Sequence, residues 1–156
     1  AEPWPLARLA MELRGQTGEI KLVIEQDAAV QAGATTTQPE DVLGQILRAV
    51  VSNAADACRG RPSSGIHVRL AAAEGQGHIT VVDDGIGMAP QAVTAAFDPF
   101  FSTKAEGQGM GLGLYLARAH LRALGGAIEL ESRPGHGTTV QVRFPLTEPL
   151  RPVKPA

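Results

Sequence analysis

Glycine occupies every second position from Gly107 to Gly113 in the run Gly107-Gln108-Gly109-Met110-Gly111-Leu112-Gly113-Leu114, and a helical pattern begins where the run ends. With so few Cβ atoms, backbone N–H groups can approach a ligand closely, and the helix start behind them favours negative charge. Such a run reads as a loop, and the ligand it suggests is a phosphate. Its spacing matches neither common phosphate motif: G-x-x-x-x-G-K-[ST] is absent from the chain, and the run holds no G-x-G-x-x-G. It is therefore a phosphate loop of another kind or a flexible lid.

The rest of the chain sets the frame for that loop. Its 156 residues suffice for one domain with a core, and 44% hydrophobic with 19% charged residues is ordinary for a globular domain. The net charge of −2 gives no bulk attraction to nucleic acid or anionic membrane, so a polyphosphate must be held by local dipoles, a metal ion or single cations. One cysteine, Cys58, excludes an intrachain disulfide and fits a reducing compartment. No apolar run reaches membrane-spanning length, and no signal peptide is visible. The abrupt start at Ala1-Glu2-Pro3 reads as a fragment of something longer.

Periodicity predicts a short helix over 6–14, a strand through Ile20, Leu22 and Ile24, a loop over 26–38, and a strong helix from Pro39 to about Cys58. Strands follow through Ile66, Val68 and Leu70 and through Ile79, Val81 and Asp83, joined by a tight turn at 75–77. A short helix is expected over 90–96 and a long loop over 97–109; long loops inside compact domains are usually functional. A helix over 112–124 stops at Gly125-Gly126. Strands through Ile128 and Leu130, and through Val140, Val142 and Phe144, flank a connection at 133–137. Five strands and about three helices of useful length predict a two-layer α/β sandwich over 1–145, with a Pro-rich disordered tail over 146–156.

Two polar residues interrupt apolar stripes. Asn53 follows Val42, Ile46 and Val50 on one helix face, with Ala57 beyond it and Asp56 at the rim. It is either a satisfied core amide or a hard oxygen ligand suited to Mg2+. Asp83 continues the stripe of Ile79 and Val81, and Gly85 and Gly87 follow, interleaved with apolar Ile86 and Met88. It is either an Asx-turn residue or an acceptor-only carboxylate for a ligand N–H such as the adenine amine.

Together these segments resemble the catalytic and ATP-binding domain of sensor histidine kinases, in the superfamily that also holds gyrase B, the Hsp90 chaperones and the MutL proteins. The resemblance covers 40–145. It rests on an N box centred on Asn53-Ala54-Ala55-Asp56-Ala57, a glycine box Asp83-Asp84-Gly85-Ile86-Gly87-Met88, and an F box Phe97-Asp98-Pro99-Phe100-Phe101-Ser102-Thr103-Lys104. The glycine run is the second glycine box, and Gly135-His136-Gly137-Thr138-Thr139 is the final motif.

The resemblance implies a Bergerat-type mixed sheet of about five strands, with helices on one face and a flexible ATP lid. It also implies roles. Asn53 would ligate Mg2+ on the ATP phosphates, with Asp56 and Ala57 nearby. Asp83 would accept the adenine amine, Gly85, Ile86, Gly87 and Met88 would pack on the base, and Thr138 would support a water there. Lys104 would reach the phosphates. Gly107, Gln108, Gly109, Met110, Gly111, Leu112, Gly113 and Leu114 would form the lid edge. Phe97, Phe100 and Phe101 are either core or help dock the lid on a neighbouring helical domain.

One departure stands out: Ala49 occupies the position, four before Asn53, where the family usually carries a polar residue. That disfavours an ATPase, which needs a carboxylate there to activate water. None of His67, His78, His120 and His136 sits on a helical hairpin as a phosphoacceptor would. The expectation is transfer of the ATP γ-phosphate to a histidine on a separate dimerisation domain, with a response regulator downstream and no contact with nucleic acid or membrane. The resemblance implies a cytoplasmic domain, and leaves the parent either free or anchored in the bacterial inner membrane. A GHKL-type ATPase, or a nucleotide-binding regulatory module without kinase activity, is the alternative.

Overall fold

A computed structural model describes residues 2–101 and 113–147. The chain opens with a two-residue strand, β1 (Trp4–Pro5), a 3-10 turn at Leu6–Arg8 and helix α1 (Leu9–Leu13). The single helix expected over 6–14 is thus split. Its first turn is wound tightly behind Pro5, and Gly15 ends it at φ +82. Strand β2 (Lys21–Gln26) follows. The expected loop over 26–38 contains helix α2 (Ala28–Gln31) and strand β3 (Thr35–Thr36). Asp27 makes α2 possible: one carboxylate oxygen accepts from the Val30 N–H at 2.9 Å, and the other from the Ala72 N–H at 3.2 Å.

Helix α3 (Glu40–Cys58) starts behind Pro39, with Glu40 and Asp41 in its first turn, where they complement the helix dipole. Strands β4 (Gly65–Ala73) and β5 (Gln76–Asp83) form a hairpin. Its turn is Glu74-Gly75, both at positive φ, rather than 75–77. Gly77 lies inside β5, where a Cβ would run into the Phe144 ring. After α4 (Pro90–Ala95) comes α5 (Gly113–Ala123), closed by Gly125 and Gly126 as expected, with the Gly126 N–H on the Leu121 carbonyl at 2.7 Å. Strands β6 (Ala127–Ser132) and β7 (Thr138–Pro145) complete the chain.

The five long strands form one mixed sheet in the order β2-β4-β5-β7-β6, with β2 parallel to β4 and the other neighbours antiparallel. Helices α1, α3 and α5 pack together over it, which is the two-layer α/β sandwich expected. Leu47 and Val51 of α3, Leu121 of α5, Leu13 of α1, and Val68 and Phe144 of the sheet are fully enclosed in the core. Burial of each such side chain is worth about 1.5–3 kcal/mol. The N-terminal segment joins the same body. Trp4 Nε1 donates to the Gln38 carbonyl at 2.7 Å, and the ion pairs Arg8–Glu40 and Arg48–Glu12 join the N-terminal segment to α3. Beyond β7, the Leu146 carbonyl accepts from the Thr37 N–H at 2.8 Å. No helix among the described residues is long and apolar enough to cross a membrane.

Candidate functional site

One of the two polar residues that interrupt apolar stripes, Asp83, closes a strand at one end of the sheet. Asp83 is the last residue of β5, between Ile66 of β4 and Thr138 of β7, and is only 5% exposed. Its inward direction follows from strand alternation, because Ile79 and Val81 on the same face are core. The next residue does different work. Asp84 turns outward and accepts the Gly65 N–H at 2.7 Å, while its own carbonyl accepts the Ser64 hydroxyl at 3.2 Å. One aspartate anchors the loop before β4 and the other is left facing inward. The motif pattern gave Asp84 no role.

The segment after β5 is clamped from both sides. The Ile86 N–H donates to the Ala57 carbonyl at the end of α3 (3.0 Å), and the Gly135 N–H of the β6–β7 turn donates to the Ile86 carbonyl (2.7 Å). The Met88 N–H donates to Ser132 Oγ at 2.8 Å. A Cβ on Gly85 would meet the Ala57 carbonyl, and one on Gly87 the Arg133 carbonyl, with φ +69 at Gly87 besides. At both positions glycine is demanded by the chain's own backbone, a different reason from the open approach to a base inferred from sequence. Ile86 itself is 55% exposed beside this clamp, and Met88 is half-buried against the core.

Burial pushes the Asp83 carboxyl above its ordinary value; the Gly85 N–H (2.9 Å to Oδ1) and the Thr138 N–H counter this by stabilising the charged form, and nearby Asp84 adds to the rise. Thr138 is also buried, and its Oγ1 lies 2.7 Å from Ser132 Oγ. Ser132 Oγ in turn lies 2.9 Å from the Gly137 carbonyl. Ser132 was missed from sequence although it carries the same signal as Asp83: it closes the inward-facing series Ile128, Leu130, Ser132 of β6.

Asn53, Asp56 and Ala57 are half-buried residues in the last turns of α3, where the Ala57 carbonyl holds the Ile86 N–H. No hydrogen bond among the described residues uses the Asn53 amide, which disfavours the satisfied core amide. Asp56 pairs with Arg59 at 3.1 Å. Ala49 borders the start of α5, 3.7 Å from where a Gly113 Cβ would lie. Gly113 is exposed, whereas the Leu114 side chain is core, so only its backbone is available to a ligand. Lys104, Gly107, Gln108, Gly109, Met110, Gly111 and Leu112 lie outside the described residues.

Among the described residues, no three His, Cys, Asp or Glu side chains converge as a metal-holding group. A lone, unengaged Asn53 oxygen suits a cation that keeps waters and phosphate oxygens as its other ligands, which is how Mg2+ binds.

The remaining candidates separate cleanly. Phe97 packs on the core with the Arg118 guanidinium 5.0 Å above its ring, whereas Phe100 is 71% exposed at φ +66. His67 and His78 lie on β4 and β5, His120 on α5 and His136 in the β6–β7 turn. Cys58 is buried, and desolvation with Asp83 and Asp84 nearby pushes its thiol up to about 11, an unreactive form.

A family model described as histidine kinase-, DNA gyrase B-, and HSP90-like ATPase matches residues 38–148. The chain is 36% identical over 114 residues to the two-component sensor PprA of Pseudomonas aeruginosa, covering 70% of this chain and 12% of that protein. It is 38% identical over 96 residues to the sensor histidine kinase DcuS of Escherichia coli K12, covering 62% of this chain and 17% of that protein. The chain thus spans well under a third of either relative. The nucleotide-free catalytic domain of histidine kinase ThkA shares the fold at TM-score 0.75 and 24% identity, over 94% of this chain and 96% of that one. Full-length ShkA in complex with AMPPNP does so at TM-score 0.74 and 24% identity, over 96% of this chain and 31% of that one.

Proposed function

The chain belongs to the family of histidine kinase-, DNA gyrase B- and HSP90-like ATPases, and on that premise we propose that it is the ATP-binding catalytic domain of a two-component sensor histidine kinase. The observation that carries the reading is Asp83: an inward-facing carboxylate at a strand end, 5% exposed and without a cationic partner among the described residues. A fold keeps such a group against its desolvation cost when a ligand donor is to meet it. The adenine amine is that donor. Ile86 and Met88 flank the base, and Thr138 supports its edge. The AMPPNP bound by ShkA, a relative in fold, is in keeping with this.

The phosphate end falls to α3 and to residues outside the described set. Asn53 would hold Mg2+, which when bound would supply positive charge against the phosphates. Lys104 and the backbone of 107–113 would cover the phosphate oxygens. The chain's part in the chemistry is positioning and charge neutralisation. A histidine nitrogen of a separate helical dimerisation domain attacks the γ-phosphorus, the bond to the β-phosphate oxygen breaks, and ADP leaves. Phe100, with its side chain exposed, is proposed to meet that domain. The response regulator would then take the phosphoryl group. Ala49 offers no carboxylate to activate water beside Asn53, which favours transfer over hydrolysis. We also place residues 1–145 in one catalytic domain, because Leu6, Leu9 and Leu13 share its core, and we place it on the cytoplasmic side of the cell.

The test mixes this chain with the dimerisation domain of its parent and labelled ATP. Acid-labile, base-stable label on that domain is the expected result. Rapid ATP hydrolysis by the chain alone, with no label transferred, would replace the kinase with an ATPase.

A further inference from the structure

We infer that Ser132 is a positioning residue that sets the hydrogen-bonding polarity of the base site, so that the site selects a 6-aminopurine over a 6-oxopurine. The inference rests on the adenine reading of Asp83 and adds a residue and a selectivity to it.

A serine hydroxyl has one proton and two lone pairs. Ser132 Oγ has three partners within hydrogen-bond distance: the Met88 N–H at 2.8 Å, the Gly137 carbonyl at 2.9 Å and Thr138 Oγ1 at 2.7 Å. The Met88 N–H can only donate and the Gly137 carbonyl can only accept. The single Ser132 proton therefore goes to Gly137. The bond to Thr138 then needs the Thr138 proton, donated to Ser132. That arrangement satisfies all three partners and saturates Ser132, with two bonds accepted and one donated.

The consequence falls on Thr138. Its proton is committed to Ser132, so its oxygen can only accept. Thr138 stands directly across the strand pair from Asp83, and both side chains are buried on the inward face. Asp83, when ionised, is also an acceptor only. The end of the sheet therefore presents acceptors alone to the edge of a base. An exocyclic amine meets such an edge with donors, whereas a 6-oxo group meets it with a further acceptor and leaves buried lone pairs opposed. The same hydroxyl also holds the Met88 backbone against the β6–β7 hairpin, so the polarity and the wall of the site share one atom.

The experiment compares calorimetric binding of ATP and ITP, each with Mg2+, to the wild-type chain and to Ser132→Ala and Ser132→Thr. The expected result is that wild type prefers ATP. Ser132→Ala, which frees the Thr138 proton to point into the site, should lose about tenfold of that preference. Ser132→Thr, which keeps the hydroxyl, should retain it. Should Ser132→Ala fail to fold, Thr138→Val removes the acceptor itself and should lower the preference likewise. Equal weakening of ATP and ITP in Ser132→Ala alongside a lower melting temperature would show a purely structural serine and overturn the inference. So would an unchanged preference. In both cases the wild-type preference for ATP still stands, and with it the adenine reading. A wild-type chain that binds neither nucleotide overturns both.

Discussion

Gly87 allows the clamp around the candidate site to be tested by separating two costs that glycine usually hides together. At φ +69, an alanine would pay the left-handed penalty of about 1–2 kcal/mol. Its Cβ would also run into the Arg133 carbonyl group, whose carbon lies 2.8 Å away, and come within 3.3 Å of the Gly137 nitrogen. These are backbone atoms and cannot swing aside, so the overpacking cost is about 1–3 kcal/mol more. Gly87→Ala is therefore expected to lose about 2–5 kcal/mol. Gly135 supplies the control. Its φ is +78 and nothing lies within 4 Å of the added Cβ, so Gly135→Ala should lose about 1–2 kcal/mol through torsion alone. Gly85 supplies the converse: no positive φ, but the Ala57 carbonyl carbon at 2.6 Å, so Gly85→Ala should lose about 1–3 kcal/mol through crowding alone. Urea unfolding of the three variants measures these losses, and ATP calorimetry measures the site. Binding should weaken by tenfold or more in Gly87→Ala, because relief of the clash pushes residues 85–88 away from the β6–β7 hairpin. It should change by less than about threefold in Gly135→Ala. If Gly87→Ala were no more destabilising than Gly135→Ala, the close approach at Arg133 would not exist and the clamp would have to be abandoned.

The raised Asp83 carboxyl gives a pH signature. The folded chain binds this proton more tightly than the unfolded chain, so the stability it contributes is complete below pH 3.8 and is lost as pH rises through the higher folded value. At pH 7 the ionised group is a net burden on the nucleotide-free fold. Asp83→Asn should accordingly melt above wild type at pH 7, with the gap closing toward pH 4, while ATP and ADP affinity both fall; a lower melting temperature at pH 7 would contradict it. Asn53→Ala should make ATP affinity indifferent to EDTA and leave adenosine binding intact; a retained Mg2+ dependence would remove Asn53 from the metal. Cys58, with its thiol near 11 and 2% exposure, should react with a thiol reagent at pH 8 at least a hundredfold more slowly in the folded chain than in urea. Equal rates would mean the end of α3 opens freely.

Local chemistry was legible where a residue's consequence stays within a few positions. The Pro39 start of α3, the Gly125-Gly126 stop of α5 and the alternation of all five long strands were each read correctly, because capping and pleating depend on neighbours. The hairpin turn slipped by one residue because Gly77 answers to Phe144, which is 67 positions away. The parallel pairing of β2 with β4 was likewise out of reach, since it depends on the crossover through α3. Residues 26–38 show the other limit. Their strand is two residues long and exists only because Trp4 meets Thr36, and no window of composition reports a contact of that span.

The inward placement of Asp83 was legible for a similar reason, and Ser132 shows where that reason stops. Asp83 and Ser132 both terminate an inward apolar series, so alternation marks them equally. A buried charge is costly wherever it sits, and so a carboxylate in an apolar stripe calls for an explanation on its sequence pattern alone. A hydroxyl is cheap: it can be satisfied by almost any carbonyl, and a serine at a strand end is usually unremarked. What distinguishes Ser132 is the identity of its three partners, one that can only donate, one that can only accept and one that can do either. Met88 lies 44 positions away, and Gly137 and Thr138 meet Ser132 across the β6–β7 turn. The sequence therefore exposes a site residue in proportion to its desolvation cost. Residues that orient others at little cost of their own emerge only when the partners are in place and the protons can be counted.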